Sequence, residues 1–255
     1  MGEQKMFRAR VDASILRECV DAVLAVVDEA RLKIDKEGWK VRAVDPANVA
    51  LVDLELRKEA FYEYEEYEKE EGKVVGIPFG KLRDVLRFAA GDVSLSINEK
   101  MTLQSSAYAY TLSPLDPSSL RAEPKIPELN FSTKVVVDGN DFKRVLKAAE
   151  KITEQVAIGV QNESFFVEAE GEMETMRYSL HKDELIHLSG GDCRSLFSLE
   201  YLTAMAKGFA SDTLTLHIST DHPLKMEFDI ADGNGKVVYM LAPRIEAEWE
   251  VKESV

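Results

Sequence analysis

The sequence predicts an α+β fold made of two copies of one unit, each with two helices packed on antiparallel sheet. Three observations predict it: the chain repeats itself, each copy alternates strand-type and helix-type periodicity, and an aperiodic proline-rich stretch divides the copies. The repeat has an offset of 126. "VDASILRECVDAVLAVVDEARLKIDKEGWKV" from Val11 lies over "VDGNDFKRVLKAAEKITEQVAIGVQNESFFV" from Val137 without a gap. Leu16 falls over Phe142, Val20 over Leu146, Val26 over Ile152, Ile34 over Val160 and Trp39 over Phe165. The later halves, "IPFGKLRDVLRFAAGDVSLSIN" from Ile77 and "FSLEYLTAMAKGFASDTLTLHIS" from Phe197, match at an offset of 120 that slips to 121. The expected organisation is a disordered lead-in over 1–6, a first repeat over 7–112, a connector over 113–130, a second repeat over 131–246 and a tail over 247–255. The connector "SPLDPSSLRAEPKIPELN" has four prolines in eighteen residues, which suits an extended surface segment.

Each copy opens with a short strand that leads into a helix, expected over Ser14–Val27 and Asp141–Ile152. Asp12 and Asp138 stand where caps are needed. "ARLKID", "WKVRAV" and "VALVDLEL" follow in the first copy, and "VAIGV", "SFFVEAE" and "MRYSLH" in the second. Their alternation fits half-buried strands. A second helix is expected over Phe79–Ala90 and Leu199–Ala210, and strands close each copy. "KMEFDI" and "KVVYML" flank "ADGNG", where Asn234-Gly235 predicts a tight hairpin turn.

With 255 residues and 45% hydrophobic content, the chain can bury a sizeable core. No apolar run approaches the length of a membrane span. The opening "MGEQKMFRAR" lacks the apolar stretch of a signal peptide. Cys19 and Cys193 sit among apolar residues without metal-type spacing, so they read as reduced core cysteines. Nothing points to catalysis, a metal or a cofactor. Chance pairs of carboxylates are expected among 46 acidic residues, and His181 and His187 have no convergent partners. "DIADGNG" lacks the closing glutamate of a calcium loop. There is no glycine-rich phosphate loop.

Charge placement is more informative. The net charge is −14, and residues 59–71, "EAFYEYEEYEKEE", form an acidic run that reads as a solvated loop or edge. Against this background "FKRVLKAAEKI" (142–152) holds four cations and one acid. Phe142, Val145, Leu146, Ala149 and Ile152 follow helical spacing and form a buried stripe. Arg144, Lys147 and Lys151 lie on the opposite face, with Lys143 nearby. The second helix of the first copy adds Lys81, Arg83 and Arg87 against Asp84, and the last helix adds Lys207. Because repeated helices stack on one face, these cations are expected to gather on one surface of an acidic protein.

Four segments then carry a resemblance: "VRAVDPANVALVDLEL" (41–56), the connector's "PKIPEL" (124–129), "FSLEYL" (197–202) and "YMLAPRIE" (239–246). From Phe7 to about Glu246 the chain resembles the sliding clamps of the proliferating-cell-nuclear-antigen type, most closely the archaeal ones. The resemblance implies a pseudo-sixfold ring of three chains in which twelve helices line a central hole. Twelve helices ~9 Å apart make a circle ~34 Å across its axes. Less one helix diameter, this leaves ~24 Å, enough for duplex DNA and a film of water. The implied function is a DNA polymerase processivity factor, not an enzyme and without a cofactor. It encircles duplex DNA irrespective of sequence and works in the archaeal cytoplasm at the nucleoid, or in the nucleus of a eukaryote.

By position, the resemblance implies DNA-facing roles for Arg17, Arg87, Arg144, Lys147, Lys151 and Lys207. Lys81, Arg83 and Lys143 join them from helical spacing alone. Val23, Leu24 and Asp84 stand where cations are common in the family, so the first copy's lining is less positive. The implied partner pocket takes in Val44, Val49, Leu51, Ile126, Pro127, Phe131, Pro223, Met240, Ala242, Pro243 and Ile245. It would receive the PIP-box peptides of DNA polymerase, the clamp loader (replication factor C), flap endonuclease and DNA ligase. The implied subunit contact pairs 103–112 with 173–181 of the next chain, with Tyr108, Tyr110, Met176, Arg177 and Tyr178 at the junction. Two alternatives stand beside the homotrimer: a subunit of a heterotrimeric clamp, and a peptide-binding module that does not encircle DNA.

Overall fold

The structure is a computed structural model that describes residues 6–65, 72–126 and 128–244. The first repeat runs β1 (Phe7–Asp12), α1 (Ala13–Leu24), β2 (Glu29–Asp35), β3 (Gly38–Val44), β4 (Ala50–Arg57), β5 (Glu63–Tyr64), β6 (Lys73–Pro78), α2 (Phe79–Leu86), β7 (Asp92–Ile97), β8 (Met101–Ser105) and β9 (Tyr108–Leu112). The second runs β10 (Thr133–Asp138), α3 (Gly139–Ala149), β11 (Gln155–Gln161), β12 (Ser164–Glu170), β13 (Thr175–His181), β14 (His187–Gly190), β15 (Cys193–Ser198), α4 (Leu199–Ala206), β16 (Thr213–Ile218), β17 (Leu224–Ile230) and β18 (Gly235–Leu241). The expected lead-in and tail lie outside the described residues, apart from Met6, as do residues 66–71 of the acidic run.

Sheet order makes the repeat visible in space. One sheet is ordered β5-β1-β7-β8-β9 and another β13-β12-β11-β15. The nine-stranded sheet, β14-β10-β16-β17-β18-β4-β3-β2-β6, joins the second repeat's equivalent of the former to the first repeat's equivalent of the latter. The joint within it is β18 against β4, antiparallel from Gly235 opposite Leu56 to Leu241 opposite Ala50. Helices pack as α1 with α2 and α3 with α4. The apolar faces of helices and sheets merge into one core that includes Leu16, Val20, Phe142, Leu146, Phe165 and Phe197.

Local chemistry explains the helix starts. The Asp12 carboxylate accepts from the Ser14 N–H, and that of Asp138 from the N–H groups of Asn140 and Asp141. The helices end about a turn before the expected limits. After Leu86 the N–H groups of Phe88 and Ala89 bond to Val85 and Leu86, a tightening to three-residue spacing. The hairpin after β17 also differs from expectation. Asn234-Gly235 is not the turn: the left-handed residues are Ala231, Asp232 and Gly233, and Gly235 already pairs with Ile230. The longer turn lets the Ala231 N–H reach the Glu18 carboxylate on α1 at 2.9 Å, a contact a two-residue turn would forgo. Cys19 and Cys193 are free and buried, and burial pushes the Cys19 thiol well above its ordinary value.

The joint is also closed from behind. Tyr239 on β18 is fully buried, ringed by Phe209 and Phe228, and its hydroxyl donates to the Ala22 carbonyl on α1 at 2.8 Å. Gly208 makes room for this. A Cβ at that position would stand 2.3 Å from the Tyr239 hydroxyl and 3.0 Å from the Ala22 Cα. Tyr239→Phe is expected to lower stability by about 1–2 kcal/mol in denaturant melts; an unchanged midpoint would show the bond contributes nothing to the joint.

Candidate nucleic-acid, partner and subunit surfaces

The helix face divides its cations into two groups. The first holds helix ends. Arg17 Nη1 donates to the carbonyls of Leu86 and Ala89, each at 3.0 Å, and Lys143 Nζ donates to Phe209 O at 2.6 Å. These are equivalent positions in the two repeats. A helix leaves its last carbonyls unpaired at the negative end of its dipole, and a cation from the adjacent helix satisfies both needs. Lys143 also lies 5.9 Å from the Phe209 ring centre. Burial, with Lys147 beside it, pushes its amine below the usual lysine range.

The second group faces solvent. Arg144 is exposed and pairs with Asp141 one turn back, and Arg87 lies 3.7 Å from Asp84. Arg83 is exposed near Asp21, whose carboxyl burial raises and Arg83 and Arg17 lower, with burial prevailing. Lys81, Lys147, Lys151 and Lys207 are exposed, and their side chains hold no hydrogen bond or ion pair among the described residues.

Five of the partner-pocket candidates, Val44, Val49, Leu51, Met240 and Ala242, meet at the joint. Val44 on β3 stands opposite Leu51 on β4, which stands opposite Met240 on β18. Beyond β18 the Ala242 N–H bonds to Val49 O at 2.9 Å. Leu51 and Met240 are buried, whereas Val44, Val49, Ile126, Phe131, Pro223, Ala242 and Pro243 are half-buried. The Phe131 ring packs 5.6 Å from that of His217. Pro127 and Ile245 lie outside the described residues.

Two features of this surface have no counterpart in the sequence reading. One is Asp45, 4% exposed in the β3–β4 loop. Its carboxylate accepts from the N–H groups of Ala47 (3.1 Å), Val49 (2.7 Å) and Ala50 (2.8 Å), and from the Tyr201 hydroxyl on α4 (2.9 Å). Burial alone would raise its pKa; these four donors outweigh it and hold the carboxyl below its usual range. The loop that presents Val49 is thereby fixed to the second repeat. The "DPAN" string carried the signal, since an aspartate before proline at a strand end favours a side-chain-closed turn.

The other feature is how the connector is tied down. Arg31 Nη2 donates to Leu120 O at 2.8 Å, Arg121 to Asp45 O at 2.7 Å, and Arg42 bridges Asp53 (3.0 Å) and Glu123 (3.3 Å). Beneath its first half lies a groove of about 560 Å³ lined by Val27, Ala43, Val44, Leu120 and Ala122.

The subunit candidates occupy two sheet edges. β9 is an edge of its sheet and exposes Tyr108 (68%) and Tyr110 (43%). β13 is an edge of another sheet, with Met176, Tyr178 and Leu180 half-buried and the residues between them exposed. Arg177 stacks 4.3 Å from the Phe166 ring centre and donates to Glu168 at 2.5 Å and Gln161 at 3.0 Å.

The class this arrangement defines is a two-repeat clamp protomer, with a sheet shared between repeats and cations on the helices. Comparison with known proteins specifies the family. The chain matches the C-terminal domain of proliferating cell nuclear antigen over residues 125–244 and the N-terminal domain over 6–112. It is 42% identical to a DNA polymerase sliding clamp of Methanocella arvoryzae and 41% identical to one of Methanococcoides burtonii, each alignment covering 95% of this chain and all of the relative. A solved structure of the C-terminal region of FEN-1 bound to A. fulgidus PCNA superposes with a TM-score of 0.89 at 34% identity, over 95% of this chain and all of that one. The chain therefore belongs to the proliferating cell nuclear antigen family of DNA polymerase sliding clamps. No helix among the described residues is long and apolar enough to cross a membrane.

Proposed function

We propose that three copies of this chain close head to tail into a ring around duplex DNA, and that the ring tethers polymerase and other replication and repair enzymes. The repetition of one joint carries this reading. Within the chain, the last strand of the second repeat pairs with the fourth strand of the first, β18 on β4. The equivalent strands, β9 and β13, are both free edges. Pairing them between copies repeats the joint. Transferring the internal register sets Tyr108 opposite Tyr178, Ala109 opposite Arg177 and Tyr110 opposite Met176. The two edges are different surfaces, so the contact is heterologous, and a heterologous contact makes a ring when its rotation closes.

In such a ring the helices line the hole, and Lys81, Lys147, Lys151 and Lys207 supply diffuse positive charge to passing phosphates. Contact of this kind is sequence-independent and weak enough to permit sliding. The row Val44, Leu51 and Met240, with Val49 and the connector at its margin, would take a short peptide bearing an aliphatic residue and two aromatics. Polymerase, replication factor C, flap endonuclease and DNA ligase are the partners such a peptide would bring.

The test is a Lys147→Ala, Lys151→Ala, Lys207→Ala variant assayed for mass, retention on circular DNA and polymerase stimulation. The expected outcome is an unchanged trimer mass, stimulation reduced several-fold, and a salt slope flattened by about two to three. Full stimulation with an unchanged salt slope would overturn the DNA-facing assignment.

A further inference from the structure

Resting on the ring reading, the geometry points to Phe88 as the anchor of the contact between copies, seated on the third helix of the neighbouring chain at Ala148. The internal joint supplies the template. Behind its strand pair, the end of α4 meets α1 at Gly208 and Ala22, and the Tyr239 hydroxyl bonds to Ala22 O. Each member has an equivalent at the free edges. The N–H groups of Phe88 and Gly208 bond to Val85 O and Met205 O in the same way, which fixes Phe88 as the counterpart of Gly208. The matching caps Asp12 and Asp138 make Ala148 the counterpart of Ala22. Tyr110 pairs with Leu103 and Tyr239 with Met226, each on the strand before it, so Tyr110 is the counterpart of Tyr239.

The one large difference is Phe88 in place of glycine. It is 74% exposed and borders an apolar groove of about 440 Å³ with Val85, Leu103, Tyr108 and Tyr110. At Gly208 a Cβ would stand 2.3 Å from the tyrosine hydroxyl, so a phenylalanine there bars Tyr110 from copying the Tyr239 bond. The seam between copies therefore replaces a buried hydrogen bond with an aromatic ring laid on the exposed Ala148 turn of α3. An exposed phenylalanine, flanked by two tyrosines on an unpaired sheet edge, has the composition of an interface anchor. The second copy is the occupant that the template specifies, because the same face of α1 already covers the same position inside the chain.

The experiment measures the concentration at which the full-length ring dissociates, by mass photometry on dilution. Phe88→Ala is expected to raise that concentration at least about tenfold. Tyr110→Phe is expected to move it less than about threefold, since its hydroxyl is unused. In a second measurement, Phe88→Cys with Ala148→Cys should give covalently linked chains under oxidation that neither single variant gives. The native cysteines are buried and do not compete for the cross-link. A wild-type trimer whose midpoint Phe88→Ala leaves unmoved, or one that gives no cross-link, overturns the inference while leaving the ring intact. A wild-type chain that never assembles overturns the ring and this anchor together.

Discussion

Replacing Tyr108 and Tyr110 together by aspartate is expected to leave a folded chain that remains monomeric at micromolar concentration and is not retained on circular DNA. Both rings are exposed in the single chain, so their removal costs the fold little. At the proposed seam they would be buried opposite Tyr178 and Met176. Two carboxylates there would each lose their water without gaining a partner, at a cost of several kcal/mol per ion. Even about 4 kcal/mol in total weakens association roughly a thousandfold. Arg177 is the nearby cation that could offset this, but it is already engaged by Glu168, Gln161 and the Phe166 ring. Light scattering coupled to gel filtration reads the result directly, and a trimer mass for the double variant would place the seam elsewhere. The paired Tyr→Phe variant should assemble, which separates loss of the rings from the introduction of charge.

What was legible in the sequence follows from which interactions are local. Asp12 and Asp138 announce their helices because a cap acts over two or three residues. The stripe from Phe142 to Ala149 is visible because burial of a helix face imposes its period on the chain. The fates of Arg17 and Lys143 were not legible. Helical spacing shows that they leave the buried stripe, but not that the end of the neighbouring helix comes within their reach, and that contact gives two candidate DNA ligands a second part as ties between helices. Met240 reads as a strand residue in any sequence. That it sits beside Leu51 and Val44 is a property of a joint between segments nearly two hundred positions apart. The hairpin at 231–234 departs from the Asn-Gly rule for a similar reason, because its Ala231 N–H is held by Glu18 at the other end of the chain. Tyr201 is the extreme case: a tyrosine on an amphipathic helix gives no hint that its hydroxyl closes a loop 156 positions away.

That loop is where a single substitution should do most damage. Asp45→Ala would deprive three backbone N–H groups and the Tyr201 hydroxyl of their acceptor in a site only 4% exposed. Each unsatisfied buried donor costs about 1–3 kcal/mol, and water entering at the loop surface recovers part of this. A net loss of about 3 kcal/mol is expected, seen as a fall in melting temperature of roughly 6–12 °C at fixed protein concentration. Affinity for a peptide with an aliphatic residue and two aromatics should fall with it, because Val49 and the Arg121 tie of the connector both depend on this turn. The pH dependence has a definite sign. A carboxyl whose folded pKa lies below its unfolded value contributes fully above about pH 4, and its contribution is lost as pH falls through the folded value. Asp45→Asn keeps the shape and two of the bonds but cannot titrate. It should melt between the wild type and Asp45→Ala, and it should lose less stability than the wild type on acidification from pH 5 to pH 3. Tyr201→Phe should cost less than Asp45→Ala, and combining the two should cost less than their sum, because both remove the same bond. An Asp45→Ala chain that melts with the wild type would show that water serves the loop as well as the carboxylate does, and the pocket would then have to be held open by the strand joint alone.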